Sequence, residues 1–311
     1  MAPADLADSV ARNIEKVLVG LDGVVEMLLV GLLSEGHVLL EDVPGVGKTS
    51  LARALARSLD VSFSRVQFTP DLLPSDITGS YYFQQRSSEW VFRPGPIFAG
   101  VLLADEINRA APRTQSALLE AMQERQVTVE GDTRPLPRPF MVMATQNPVE
   151  LEGTFPLPEA QLDRFALRLS IGYPTEDDEL AILRAHGTGS PYEVAPVASV
   201  SDVEGAVRDV LAVAVEEDVA RYVAALVRST RSHVALELGA SPRAGIALYR
   251  AAQALAVLRG REYVLPDDVK MLAVPVLAHR LILDQEARLR GRRTSEVLAE
   301  LLDRIEVPVE G

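Results

Sequence analysis

No cysteine occurs anywhere in the 311 residues. That absence excludes disulfides and thiolate metal sites, and it makes the cytoplasm the default location. Aromatics are scarce as well: eight Phe, seven Tyr and one Trp. No apolar run approaches the ~18–20 residues of a membrane helix, and residues 1–15 carry acids where a signal peptide would be basic. A chain without a transmembrane segment is expected. Basic residues are outnumbered, with 31 Lys and Arg against 44 Asp and Glu and a net charge of −13. The excess is spread evenly: residues 1–171 hold 22 acids and 15 bases, and residues 172–311 hold 22 and 16. Neither half offers the basic surface that nonspecific nucleic-acid binding requires, so no nucleic-acid partner is expected. Arg288, Arg290, Arg292 and Arg293 form a local basic cluster, for which a solvated helix end or loop is the simpler reading.

What is present is the composition of an ordinary globular protein, 48% apolar and 24% charged, in a chain long enough for two domains. Its organising stretch is His37–Ser50, HVLLEDVPGVGKTS. Val38, Leu39 and Leu40 suffice for a short buried strand. The chain then turns at Pro44, Gly45, Val46 and Gly47, and a helix starts from Lys48. Glycines let backbone N–H groups face inward, and a helix N-terminus adds the positive end of its dipole. Lys48 is placed to reach β- and γ-phosphates, and the Thr49 hydroxyl can serve Mg²⁺. In the empty site Lys48 is expected to face solvent. Against the pattern G-x-x-x-x-G-K-[ST], Asp42 replaces the first glycine, although the turn itself is intact.

Residues 5–34 read as two helices separated by Val19-Gly20-Leu21, a loop that can lie against an adenine or serve as a plain helix–helix turn. Ser62–Phe68 can form a strand. Residues 69–96 do not read as helix; Ile77–Phe83 and Glu89–Phe92 suggest a protruding hairpin. Its aromatics (Tyr81, Tyr82, Phe83, Trp90, Phe92) could touch a substrate polymer, but packing against their own domain is the favoured reading, and Trp90 is read as packing. Val101–Ala104 is a second buried strand, Thr114–Arg125 an amphipathic helix, and Gln126–Val129 with Arg134–Leu136 a second hairpin. Pro139–Thr145 is a further apolar strand, a short helix follows near Glu159–Asp163, and Ala166–Ile171 is an edge strand. Strands alternating with helices give a parallel sheet covered on both faces. After Gly172-Tyr173-Pro174 the chain reads as wholly helical, with a connecting loop around Gly187–Pro196. The expected domains are 1–172 and 173–311.

VLLADEIN (101–108) is an apolar strand ending in two acids, which puts both at the same sheet edge as the phosphate turn. Asp105 can hold Mg²⁺ through water, and Glu106 can orient and deprotonate a water aimed at the γ-phosphate. A strand-ending acid pair without a role is the bland alternative. Asn147, after the strand 139–145, can hold the attacking water if that strand lies between the other two. By itself Asn-Pro would mark a turn. The four histidines show no ligand spacing.

The set EDVPGVGKTS, VQFTPDLLPSDITG, RPGPIFAGVLLADEINRA, QERQVTVEG, ATQNPVELEGTFPLPEAQLDRF and GASPRAGIAL resembles the MoxR family of AAA+ ATPases over nearly the whole chain. The resemblance implies an α/β P-loop NTPase: an αβα core with a five-stranded parallel sheet of order 5-1-4-3-2, inserted β-hairpins, and a C-terminal all-helical lid. It further implies ATP/ADP and Mg²⁺ as cofactors, a homo-oligomeric ring (usually hexameric), and hydrolysis coupled to remodelling of a client protein. A partner bearing a von Willebrand A domain is common in such proteins. Gly45, Gly47, Lys48 and Thr49 match Walker A, with Ser50 following; Asp105 and Glu106 match Walker B, and Asn147 matches sensor 1. Arg164 in LDRF sits where an arginine finger is expected, with an ion pair to Asp163 or Glu159 as the alternative. Arg243 in SPRA matches sensor 2, with a lid-surface arginine as the alternative. A guanidinium fork suits the spread charge of a transferring phosphoryl group. Arg109 is a further interface candidate. Two other readings stay open: a nucleotide-controlled module with little turnover, and a chelatase or nucleic-acid motor subunit.

Overall fold

The structure is a computed structural model and describes residues 1–43, 45–147, 153–187 and 194–308. Five short strands, β1 (Val38–Glu41), β2 (Phe63–Gln67), β3 (Val101–Asp105), β4 (Met141–Gln146) and β5 (Leu167–Leu169), form one parallel sheet. Its order is β2-β3-β4-β1-β5, the expected 5-1-4-3-2. The strands are apolar because both faces are covered. Alternation then sorts the side chains. Val38, Leu40, Val101, Leu103, Met141 and Met143 join a cluster with Leu51 and Leu55, while Leu39, Leu102, Ala104, Val142 and Ala144 join a second with Leu118 and Leu119.

Helices α1 (Pro3–Glu15), α2 (Asp22–Leu33) and α3 (Lys48–Ser58) supply the first cluster, and α4 (Pro112–Glu124) the second. The C-terminal part holds α5 (Glu176–Gly187), α6 (Val200–Ala212), α7 (Glu217–Thr230), α8 (Pro242–Leu258), α9 (Pro266–Leu277) and α10 (Thr294–Arg304). α8 is the hub: it packs on α9, α7, α6 and also on α1 and α2. The first cluster therefore runs unbroken from Leu6 to Leu301. A two-pronged ion pair joins Arg259, after α8, to Glu26 on α2 at 2.9 and 3.1 Å.

Both hairpins are present, Gly79–Gln84 with Glu89–Pro94 and Gln126–Val129 with Asp132–Pro135. They meet through Arg134, which lies 4.3 Å from the Phe92 ring centre and donates to the Tyr81 hydroxyl at 2.9 Å.

Three expectations need correction. Pro74–Thr78 is a one-turn helix inside a stretch read as non-helical; Pro74 presets its first φ, and the Asp76 carboxylate accepts the Leu73 N–H at 2.9 Å. The C-terminal part is not wholly helical, because Leu236–Leu238 pairs antiparallel with Ile282–Leu283. Trp90 is 68% exposed and Phe83 nearly half exposed, since they share a face with Tyr81 and Phe92 but lie nearer the hairpin's turn than the pair Arg134 covers; Tyr82, nearly half exposed, is on the opposite face. Of the expected loop at Gly187–Pro196, α5 reaches 187 and residues 188–193 lie outside the described ones.

Candidate functional site

The C-terminal ends of β1, β4 and β3 line one rim of the sheet. Glu41 stands opposite Gln146, and Ala104 opposite Ala144. With strands spaced ~4.8 Å apart, β1 and β3 lie about 10 Å apart across β4, a gap that a metal-bound polyphosphate can span. The chain leaves β1 through the glycine turn and enters α3 at Lys48, with Gly45 at φ +90° and Gly47 at φ +87°. Those left-handed conformations are why glycine stands at both positions. Among the described residues no side chain caps α3, and its own first turn holds no acid, so its first N–H donors are left for a ligand. Thr49 and Val46 are half-buried, Ser50 is exposed, and Pro44 lies outside the described residues.

Lys48 does not face solvent as expected. Its Nζ donates to the carbonyls of Asp42 at 2.9 Å and Val43 at 3.0 Å, because an ammonium beside half-buried backbone takes the nearest acceptors. Asp42, where the pattern asks for glycine, is buried. Its carboxylate accepts Ser170 Oγ at 3.0 Å, Gly172 N–H at 3.2 Å, and Ile171 N–H. The departure thus ties the start of the phosphate turn to the chain leaving β5. On the other side, a Cβ on Gly47 would come within 3.3 Å of Leu18, so the α1–α2 loop borders the turn. In that loop Val19 is half-buried and Gly20 is exposed at φ +79°.

Both acids are already engaged. Asp105 accepts Arg65 at 2.6 and 3.2 Å and Thr145 Oγ1 at 2.7 Å. Glu106 accepts the Gln67 side-chain amide at 2.7 Å and Arg109 at 3.0 Å. Its backbone is left-handed, φ +56° and ψ +51°, a costly conformation for a non-glycine residue, and its N–H is held by Thr145 Oγ1 at 2.8 Å. Asn147 follows β4 directly and is buried. Arg164 is half-buried, and among the described residues its Nε has no partner and it makes neither ion pair considered for it. Asp163 is taken instead by Arg280 at 2.8 Å. Arg243, exposed in the first turn of α8, lies outside this rim's immediate network, on the lid side.

Comparisons with known proteins agree with this layout. Residues 37–167 match the model of the ATPase family associated with various cellular activities (AAA), and residues 228–301 match the AAA lid domain. Chaperone MoxR1 of Mycobacterium tuberculosis is 43% identical, over 95% of this chain and 81% of its own length. The chain belongs to the MoxR family of AAA ATPases. Among other MoxR relatives, Protein MoxR of Methylorubrum extorquens is 34% identical over 92% of the chain and 90% of its own. YeaC of Bacillus subtilis is 48% identical over 98% and 96%. The crystal structure of a candidate ATPase from Cytophaga hutchinsonii superposes with a TM-score of 0.93 at 40% identity, covering 99% of this chain and 96% of that one. A MoxR-type AAA protein is an ATPase, and the family model covers the core that carries this rim.

The residues that sequence reasoning missed are Arg65, Gln67 and Thr145, which hold the two acids, and the carboxylate role of Asp42. One signal was available: Arg65 and Gln67 alternate on one face of a strand otherwise expected to be buried. Among the described residues no helix is long and apolar enough to cross a membrane.

Proposed function

We propose that this protein is a Mg²⁺-dependent ATPase that assembles into a ring, six subunits being the expected number, and remodels a client protein in the cytoplasm. The observation that carries the reading is the convergence of the glycine turn, Asp105-Glu106 and Asn147 on three adjacent strand ends. The uncapped, acid-free N-terminus of α3 suits a polyphosphate, and the oxygen donors Thr49 and Asp105 suit Mg²⁺. The bound metal would neutralise charge on the phosphate oxygens. Gly45, Val46, Gly47, Lys48, Thr49 and Ser50 would hold the phosphates, with Val19 and Gly20 beside the base.

For hydrolysis, Lys48 exchanges its two carbonyl partners for phosphate oxygens. Gln67 and Arg109 both bind Glu106 Oε2, and the lone pairs of Oε1 accept a proton from water. Asn147 orients that water, and Arg164 and Arg243 answer the charge on the terminal phosphate, Arg164 from a neighbouring subunit. The division into a core, 1–172, and a lid, 173–311, belongs to the same proposal, as does a von Willebrand A domain adaptor on a separate protein.

ATP turnover of wild type against Glu106→Gln tests the hydrolytic claim; equal rates would leave a nucleotide-controlled module. Pull-down with Glu106→Gln held in ATP is expected to retain both ring and client. Recovery of single chains alone would argue against the ring.

A further inference from the structure

Arg280, following α9, is almost wholly inaccessible, its side chain 3% exposed. Its guanidinium reaches across to the segment around Arg164. It donates to Asp163 Oδ1 at 2.8 Å, to the Phe165 carbonyl at 2.6 Å, and at 3.4 Å to the carbonyls of Asp163 and Ala166, with a further bond to Val276 in its own turn. Burial lowers Arg280 to about 10, the direction a desolvated cation takes, and Asp163 opposes that fall. The other Asp163 oxygen accepts Ser241 Oγ at 3.1 Å. Ser241 caps α8, accepting the Ala244 N–H at 3.2 Å, and Arg243 stands two residues beyond it. His279 adds a second hold on the Phe165 carbonyl at 3.1 Å; the carbonyl can only accept, so Nε2 donates, and desolvation lowers the ring's pKa. The residues on both sides of Arg164 are therefore pinned to the lid, while Arg164 keeps a buried Nε without a partner among the described residues.

We propose that Asp163 and Arg280 are positioning residues that fix the direction of Arg164 and bind it to the helix start carrying Arg243. The proposal rests on reading Arg164 as a group donated to the neighbouring subunit's nucleotide. It adds that the donated arginine and the lid arginine travel as one body, so that a shift of that body at one site is transmitted to the next.

Pairwise complementation in mixed assemblies tests this, read as ATP turnover at fixed total subunit concentration. Glu106→Gln subunits lack the base but keep Arg164; Arg164→Ala subunits keep the base. Recovered turnover on mixing these two supports donation across the interface, and its absence removes the underlying reading whatever Asp163 does. Asp163→Asn subunits are expected to lose about tenfold or more alone, to recover with Glu106→Gln, and to stay inactive with Arg164→Ala. Recovery between Asp163→Asn and Arg164→Ala would overturn the proposal, as would near wild-type turnover of Asp163→Asn alone. Since Asp163→Asn strands a buried cation, Asp163→Asn/Arg280→Met removes both partners and is expected to give the same pattern. Assembled double-variant rings that recover with neither tester would place the defect in their own site and reject the positioning role.

Discussion

The side-chain amide of Gln67 donates to Glu106 Oε2 at 2.7 Å, across the pair β2–β3. The bond takes up one oxygen of the carboxylate proposed to accept a proton from water and lowers its basicity. Gln67→Ala is expected to raise basal turnover about two- to fivefold, the equivalent of one modest hydrogen bond, with KM nearly unchanged. Steady-state kinetics without client would check this, and a fall in kcat would show that Gln67 assists Glu106 instead of restraining it.

Lys48 and Asp42 separate binding from folding. Lys48→Ala removes the cation proposed to bind phosphate and two hydrogen bonds to carbonyls, so turnover is expected to vanish while stability falls by about 1–2 kcal/mol. Asp42→Ala leaves two N–H groups and a hydroxyl without their acceptor, and about 2–4 kcal/mol is the expected loss. Urea unfolding of both variants would check the ranking, and a Lys48→Ala chain less stable than Asp42→Ala would reverse it.

His37 makes stability fall in mild acid. It is buried, with Nε2 on the Met122 carbonyl and Nδ1 accepting the Val142 N–H, an arrangement that only neutral imidazole satisfies. Burial lowers its pKa from 6.5 to about 4. The unfolded chain takes up the proton near 6.5 and the folded chain only near 4. The contribution is thus complete above about 6.5 and declines as pH drops toward 4, by about 3 kcal/mol in all. His279, also lowered by burial, acts in the same direction. Urea midpoints between pH 7.5 and 4.5 should show this slope, and His37→Gln should flatten it. Parallel slopes would assign the acid sensitivity to other groups.

Trp90 and Phe83 sit at an exposed part of the first hairpin, their ring centres 5.6 Å apart. Trp90→Ala is expected to change stability by less than about 1 kcal/mol and leave basal turnover intact. Thermal unfolding would check it; a larger loss would mean the ring is covered in the assembled protein.

The sheet was legible because buried parallel strands are nearly unbroken apolar runs, as Val38–Leu40 and Val101–Ala104 are, whereas its order came from the family resemblance. The glycine turn and the two acids were legible because each is contiguous in sequence. Arg65 and Gln67 were not, since their meaning depends on the β2–β3 register, with Gln67 opposite Asp105. Asp163 and Arg280 are 117 residues apart, and no local pattern announces such a pair. Asp42 looked like a defect in a motif because its partners, 170–172, arrive only after the chain has crossed the whole sheet.

The unbroken apolar cluster from Leu6 to Leu301 and the Glu26–Arg259 pair tie the helical cap to α1 and α2 of the same chain. Tilting α8 alone would tear it from α1 and α2 and open dry interior to water. In the proposed ring, large mechanical strokes are therefore easier between neighbouring subunits than inside one.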